Sequence, residues 1–296
     1  METPPATETG APSPAPAQAP AAKPEKPKSE WRDLATFLLK LALIVFIVRS
    51  FIFSPFSIPS ESMLPRLLIG DYLFITKWNY GYSKHSLPWS LPLIPGRIFP
   101  GTPARGDVVV FKAPNHNGED WIKRVIGLPG DTIEMVDGQV ILNGKPVPKQ
   151  RIADFVLPIS PNYPVASAAT QGRGCAPSMV QQEADGHLVC RMPRFRETLP
   201  GGKSYNVLDL AMLDQDNTQV FTVPAGHVFL MGDNRDNSTD SRFPQPPYGS
   251  GIGFVPIENI EGKAVVNFWS TDGSANWFLP WTWVSAARWS RIGEGF

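Results

Sequence analysis

The sequence predicts a mainly β protein: an antiparallel-sheet core, interrupted by a smaller inserted β/loop subdomain and preceded by one transmembrane helix. Three observations carry this. Runs of β-branched residues bounded by turn formers recur in two blocks, first around "RGDVVVFKAP" and again around "HVFLMGDN" and "GKAVVNFWS". The 32 prolines and 25 glycines in 296 residues are too many for a helical protein. A single apolar run of membrane-spanning length lies ahead of all the strand signals. The chain is long enough for one or two domains with a real core. Lys plus Arg and Asp plus Glu number 27 each, so no excess of positive charge points to nucleic acid as a partner.

Residues 1–30 are rich in proline and alanine and offer almost nothing to bury, so conformational entropy should leave them a disordered tail. The anchor is placed at 31–56. Within it Leu34 to Ser54, "LATFLLKLALIVFIVRSFIFS", is long enough as a helix to cross a hydrocarbon core of roughly 30 Å. Lys40 and Arg49 interrupt it, and a cation at mid-span costs about 2.5–3.5 kcal/mol unless its stem reaches a headgroup layer. A cleaved signal peptide and an interfacial helix are the rival readings. The long tail ahead of the run, and the lack of a clear small-x-small site behind it, favour an uncleaved anchor. Lys23, Lys26, Lys28 and Arg32 favour a cytoplasmic N-terminus, which would put the body outside the cytoplasm.

The first block of the core is placed at 57–147. There "LPGD", Asp137–Gly138 and Asn143–Gly144 each separate apolar stretches and read as successive hairpins. From 148 to 225 the periodicity weakens into a loop-rich insertion; regular pattern returns over 226–270. The insertion holds both cysteines, Cys175 and Cys190, which read equally as a short-loop disulfide or as two buried thiols. The four histidines are scattered and neither spacing resembles a zinc site, so no metal is expected. Residues 271–296 carry Trp277, Trp281, Trp283 and Trp289 beside Arg288 and Arg291, a cluster suited to a membrane surface or to a core.

The chemistry centres on "FSIPSESMLPRLLIGD", where Ser57, Ser60 and Ser62 stand among apolar neighbours just after the span. A serine nucleophile needs a base, and no histidine here sits in a triad motif. Lysine is the alternative, provided burial among apolar groups keeps it neutral. Lys123 in "WIKRVIGL" has that setting, and alternation sends Lys123 and Arg124 to opposite faces, so one of them points inward if a single face is buried. Taken alone, a strand lysine is usually exposed and Pro-Ser-x-Ser is ordinary turn chemistry. The acids of "GDNRDNSTDSR" invite a calcium-loop reading, but the required glycine and terminal glutamate are missing. A polar Asx-type turn and a support shell for a buried lysine both remain open.

"PSESMLPRLLIGD", "RGDVVVFK", "WIKRVIGLPGD" and "GDNRDNSTDSR" resemble, in order and after an N-terminal anchor, the successive boxes of bacterial type I signal peptidases, membrane-bound serine–lysine proteases that remove signal peptides from exported proteins. The resemblance implies that Ser62 is the nucleophile and Lys123 the general base. It implies that Ser60 Oγ joins the Ser62 N–H in an oxyanion hole and that Ser238 hydrogen-bonds and orients the lysine. Asp240 and Arg242 match a supporting ion pair, and Arg124 a structural position. Phe56, Ile58, Met63, Leu67 and Ile122 match residues lining shallow pockets for small side chains. Cleavage after Ala-x-Ala ends is then expected, with no cofactor. The implied partners are signal-peptide-bearing preproteins, the lipid bilayer and, transiently, the secretion translocon. The implied location is the bacterial inner membrane, single-pass, with the catalytic domain on the periplasmic side. Arg66 departs from the family's usual small polar residue and Trp121 from its common tyrosine; only one span precedes Phe56, where some members have two. The rivals are another serine–lysine protease, such as a self-cleaving repressor or a plasmid-transfer peptidase, and a non-enzymatic tethered β module. A self-cleaving repressor would want a DNA-binding module and no anchor.

Overall fold

The computed structural model describes Met1, residues 30–276 and residues 278–296; the expected tail disorder at 2–29 and Trp277 lie outside the described residues. Residues up to Leu43 form one compact unit and Ile44–Phe296 a second. Helix α1 spans Glu30–Ile47, with Glu30 and Asp33 in its first turn, where the helix dipole favours acids. A π-helical turn, Val48–Ile52, extends it to 23 helical residues, long and apolar enough to cross a membrane. Helical geometry stops at Phe53, whose backbone is extended, and Pro55 disfavours its return at Ser54. Phe53–Ser57 is therefore a strand, and the helix ends several residues short of the 56 expected for the anchor.

The large sheet has seven strands, β1 (Phe53–Ser57), β2 (Asp71–Thr76), β3 (Val108–Lys112), β4 (Asp120–Gly127), β5 (His227–Met231), β6 (Val255–Pro256) and β7 (Ile260–Ser270). They lie side by side in the order β1-β2-β7-β3-β4-β5-β6, every pair antiparallel. Register irregularities along β7, between Ala264 and Val266 and between Asn267 and Trp269, bend the sheet, as bulges do. Both faces are covered. Ile58, Met63, Leu67, Val108, Val110 and Ile122 belong to one apolar cluster, and Val109, Phe111, Val125 and Leu230 to another. Cover on two sides explains why β3 reads as an unbroken valine run.

The hairpins after Gly127 leave this sheet. Thr132–Val136, Gln139–Leu142 and Lys145–Pro146 form a smaller one with Phe221–Thr222. Asp137–Gly138 and Asn143–Gly144 take positive φ at both positions, the backbone that tight two-residue turns demand. The insertion is more regular than its periodicity suggests. Lys149–Pro158 pairs with Leu188–Thr198, which also pairs with Val180–Gln182 and Ser204–Leu208. Arg151, Arg191, Arg194 and Arg196 crowd the two long strands with cations, and that hid the alternation. Cys175 and Cys190 form a disulfide that ties the preceding loop to the long strand Leu188–Thr198.

Beyond β7, Trp281 and Trp283 on helix α2 (Trp281–Ala286) and Trp289 in the turn after it are exposed, so these tryptophans do not fill the core. The last residues return to β7, where Gly295 bridges Val266.

Candidate active site

Ser62 lies in the turn that follows β1, at the floor of a groove of about 960 Å³. Hydrogen bonds from Leu64 N to the Glu61 carbonyl and from Leu67 N to the Met63 carbonyl hold the turn. Lys123 projects from β4, held opposite Val109 of β3. Its Nζ stands 2.8 Å from Ser62 Oγ and 3.1 Å from the Ile122 carbonyl oxygen. Only 4% of Lys123 is exposed, and removal from water pushes its pKa down from 10.5 to about 8, with Asp240 and Asp233 acting weakly in the opposite direction. The Trp121 ring lies 5.4 Å from the same nitrogen. Ser60 Oγ is 3.4 Å from Ser62 Oγ.

Both residues of the Lys123–Arg124 pair are buried, against the expectation that only one would point inward, because the sheet is covered on both faces. Arg124 forms a two-pronged pair with Asp233 at 2.7 and 2.5 Å and donates to the Gly106 carbonyl. Beside it Arg235 pairs with Glu197, and Arg242 with Asp240 at 2.9 Å. Each of these three arginines is paired with a carboxylate, whereas the amine of Lys123 has no carboxylate in contact among the described residues.

Three assignments need correction or refinement. Phe56, Ile58 and Ile122 line the groove, but Met63 and Leu67 lie fully buried in the apolar cluster beneath it, because the tight turn after Ser62 rotates them into the core. Ser238 is buried beside the Ser62 carbonyl, both crowding the missing Cβ of Gly232, yet its Oγ has no hydrogen-bond partner among the described residues and does not bond Lys123. Any side chain at Gly232 would collide with them; a Cβ there would lie 2.2 Å from Ser238 Oγ and 2.5 Å from the Ser62 carbonyl oxygen.

Several residues around the site escaped the sequence reading. The Asn234 backbone N–H donates to the Ser62 carbonyl, and its side chain to that of Glu61. Glu61 is buried between the two serines and accepts from Gly174 N at 2.8 Å and from Asn237 Nδ2 at 2.7 Å. Burial raises its pKa against those two hydrogen bonds. The sequence signal was a carboxylate set between two hydroxyls in an apolar stretch. Away from the groove, Asp209, Asp216 and Asp236 converge within 4.8 Å, and Lys149 pairs with Asp209 there.

The family model described as "Signal peptidase, peptidase S26" matches residues 31–269. The chain belongs to this signal peptidase family. Signal peptidase I of Rickettsia typhi is 35% identical over 275 residues, covering 87% of this chain and 89% of that protein. The signal peptidase I proteins of Rickettsia canadensis and Rickettsia conorii are each 35% identical, with 89% and 90% of this chain covered and 91% of each relative. Among solved structures, a signal peptidase I from Enterococcus faecalis is 26% identical, covers 55% of this chain and 97% of its own, and gives a TM-score of 0.26. As a signal peptidase family member the chain is a serine endopeptidase, which removes the non-enzymatic reading.

Proposed function

We propose that this protein is a membrane-anchored endopeptidase that cleaves N-terminal signal peptides from exported preproteins after small-x-small ends, with Ser62 as nucleophile and Lys123 as general base. The observation that carries this reading is the 2.8 Å approach of a buried amine, its pKa lowered by burial to about 8, to a serine hydroxyl. A neutral Lys123 donates one N–H to the Ile122 carbonyl and offers its lone pair to the Ser62 hydroxyl. As Ser62 Oγ attacks the scissile carbonyl, its proton passes to Lys123. The Ser62 N–H and the Ser60 hydroxyl hold the developing oxyanion, each such donor being worth about 2.7–4 kcal/mol in serine proteases. Collapse expels the mature chain's new amino terminus, which takes the proton from Lys123 and leaves the signal peptide as an ester on Ser62. A water deprotonated by Lys123 then hydrolyses the ester.

Phe56, Ile58 and Ile122 give the acyl side of the groove shallow apolar walls, which favours small side chains. Helix α1 serves as the anchor, with a cytoplasmic N-terminus and the catalytic domain on the periplasmic face of the inner membrane. The Cys175–Cys190 disulfide supports an oxidising compartment for that domain. Preproteins approach with the bilayer and, transiently, the translocon as partners. The test is direct. Purified full-length protein in detergent should cut a preprotein after its Ala-x-Ala site. Ser62→Ala and Lys123→Ala should each abolish cutting while retaining native circular dichroism; unaltered processing by either variant rejects the assignment.

A further inference from the structure

Arg66, four residues beyond Ser62 in the same turn region, reaches across to residues 291–296. Its Nη1 pairs with Glu294 Oε1 at 2.8 Å, and its guanidinium lies 5.0 Å above the Phe296 ring. Phe296 packs on the cluster that contains Met63, Leu67, Ile58 and Ile122, the apolar layer under the groove. From the same six residues Arg291 donates to the Arg66 carbonyl at 2.9 Å and pairs with Asp71 at 2.6 Å. Asp71 is fully buried and accepts in addition from Leu68 N and Ser270 Oγ. The segment is itself fixed to β7: Gly293 N donates to the Asn267 carbonyl, and Asn267 N to that of Glu294.

We infer that Arg291–Phe296 is a clamp that holds the Ser62 turn in its attacking position, with Arg66, Glu294 and Phe296 as positioning residues. A turn has few hydrogen bonds of its own, and this one must keep Ser62 Oγ within hydrogen-bond reach of an amine on another strand. The clamp grips the turn three ways: a main-chain carbonyl is capped, a side-chain charge is paired, and the floor is packed from below. None of these groups lines the groove, so the clamp acts on the geometry of attack and not on substrate contacts.

The inference rests on Ser62 as the nucleophile and is tested alongside Ser62→Ala. Cleavage kinetics are measured on full-length protein with a peptide spanning an Ala-x-Ala site. Glu294→Ala, Arg66→Ala and Phe296→Ala should each lower kcat by about 3- to 10-fold with KM held within about twofold, the pattern of lost positioning. Arg66→Lys, which keeps the charge, should recover part of the loss. The exchanged pair Arg66→Glu with Glu294→Arg should exceed either charge-reversed single variant. Unchanged kcat in the alanine variants, a loss carried by KM, or an exchanged pair no better than its singles overturns the clamp. If Ser62→Ala is dead while Glu294→Ala is normal, only the clamp fails. If Ser62→Ala still cuts, the catalytic assignment itself fails.

Discussion

Lys123 and Arg124 are consecutive residues of one strand, equally buried and both cationic by nature, yet the fold treats them oppositely. Arg124 meets a carboxylate through two hydrogen bonds, stacks 4.3 Å from the Tyr205 ring and donates to a main-chain carbonyl. Its pKa is held up against burial, with Asp233 as the opposing cause. Lys123 faces Ser62 and the Ile122 carbonyl, and burial drives its pKa down to about 8. The two carboxylates whose charges act on Lys123 are paired elsewhere: Asp233 with Arg124 and Asp240 with Arg242. The arginines therefore do more than brace the loop. By neutralising the acids they deprive Lys123 of a counter-ion, and a lysine without one is a base near neutral pH.

Removing the amine should have the largest effect. Lys123→Met keeps the volume and loses the amine, and on the proposed mechanism kcat should fall by at least about 10²–10⁴-fold, read from product formation at fixed pH. Breaking the compensated side should instead unfold the protein. Asp233→Ala strands a buried guanidinium and should cost about 3–5 kcal/mol in urea denaturation. The same comparison predicts that Lys123→Met is more stable than the parent at pH 7. Below about pH 8 the lysine is charged in both states and its destabilising effect is complete; between about 8 and 10.5 folding releases its proton and the effect fades as pH rises. A drop of that size corresponds to about 3 kcal/mol, and denaturation at pH 7 and pH 10.5 should show the gap closing. In the parent enzyme, kcat/KM should climb with pH through about 8 and then level; a flat profile would mean that Lys123 is not the titrating base. The smallest effect belongs to Ser238→Ala. Its hydroxyl is buried without a partner among the described residues, so its loss should change stability by less than about 1 kcal/mol.

How much of this was legible varies with the range of the interaction. The hairpins at Asp137–Gly138 and Asn143–Gly144 were readable because a two-residue turn is specified by the residues in it. The valine strand and the apolar span were readable for the same reason. Ser62 and Lys123 could be nominated from their local settings and from motif order. The long ladder of the insertion was not visible, since arginines on its exposed positions break the two-residue rhythm. Nor could the burial of Met63 and Leu67 be separated from groove lining, because a turn's rotation decides which way an apolar side chain points.

The sequence by itself determined the apolar span, the hairpins and strands of the two core blocks, and a nucleophile and base candidate, since local conformational preference and hydrophobic pattern act over a few residues. Only the tertiary structure decided that Lys123 meets no carboxylate among the described residues, that Glu61 links the Ser62 turn to Gly174 and Asn237, and that Arg66 meets a partner 228 positions away. Charge compensation depends on distance in space, and residues remote along the chain become neighbours only when the sheet brings them together.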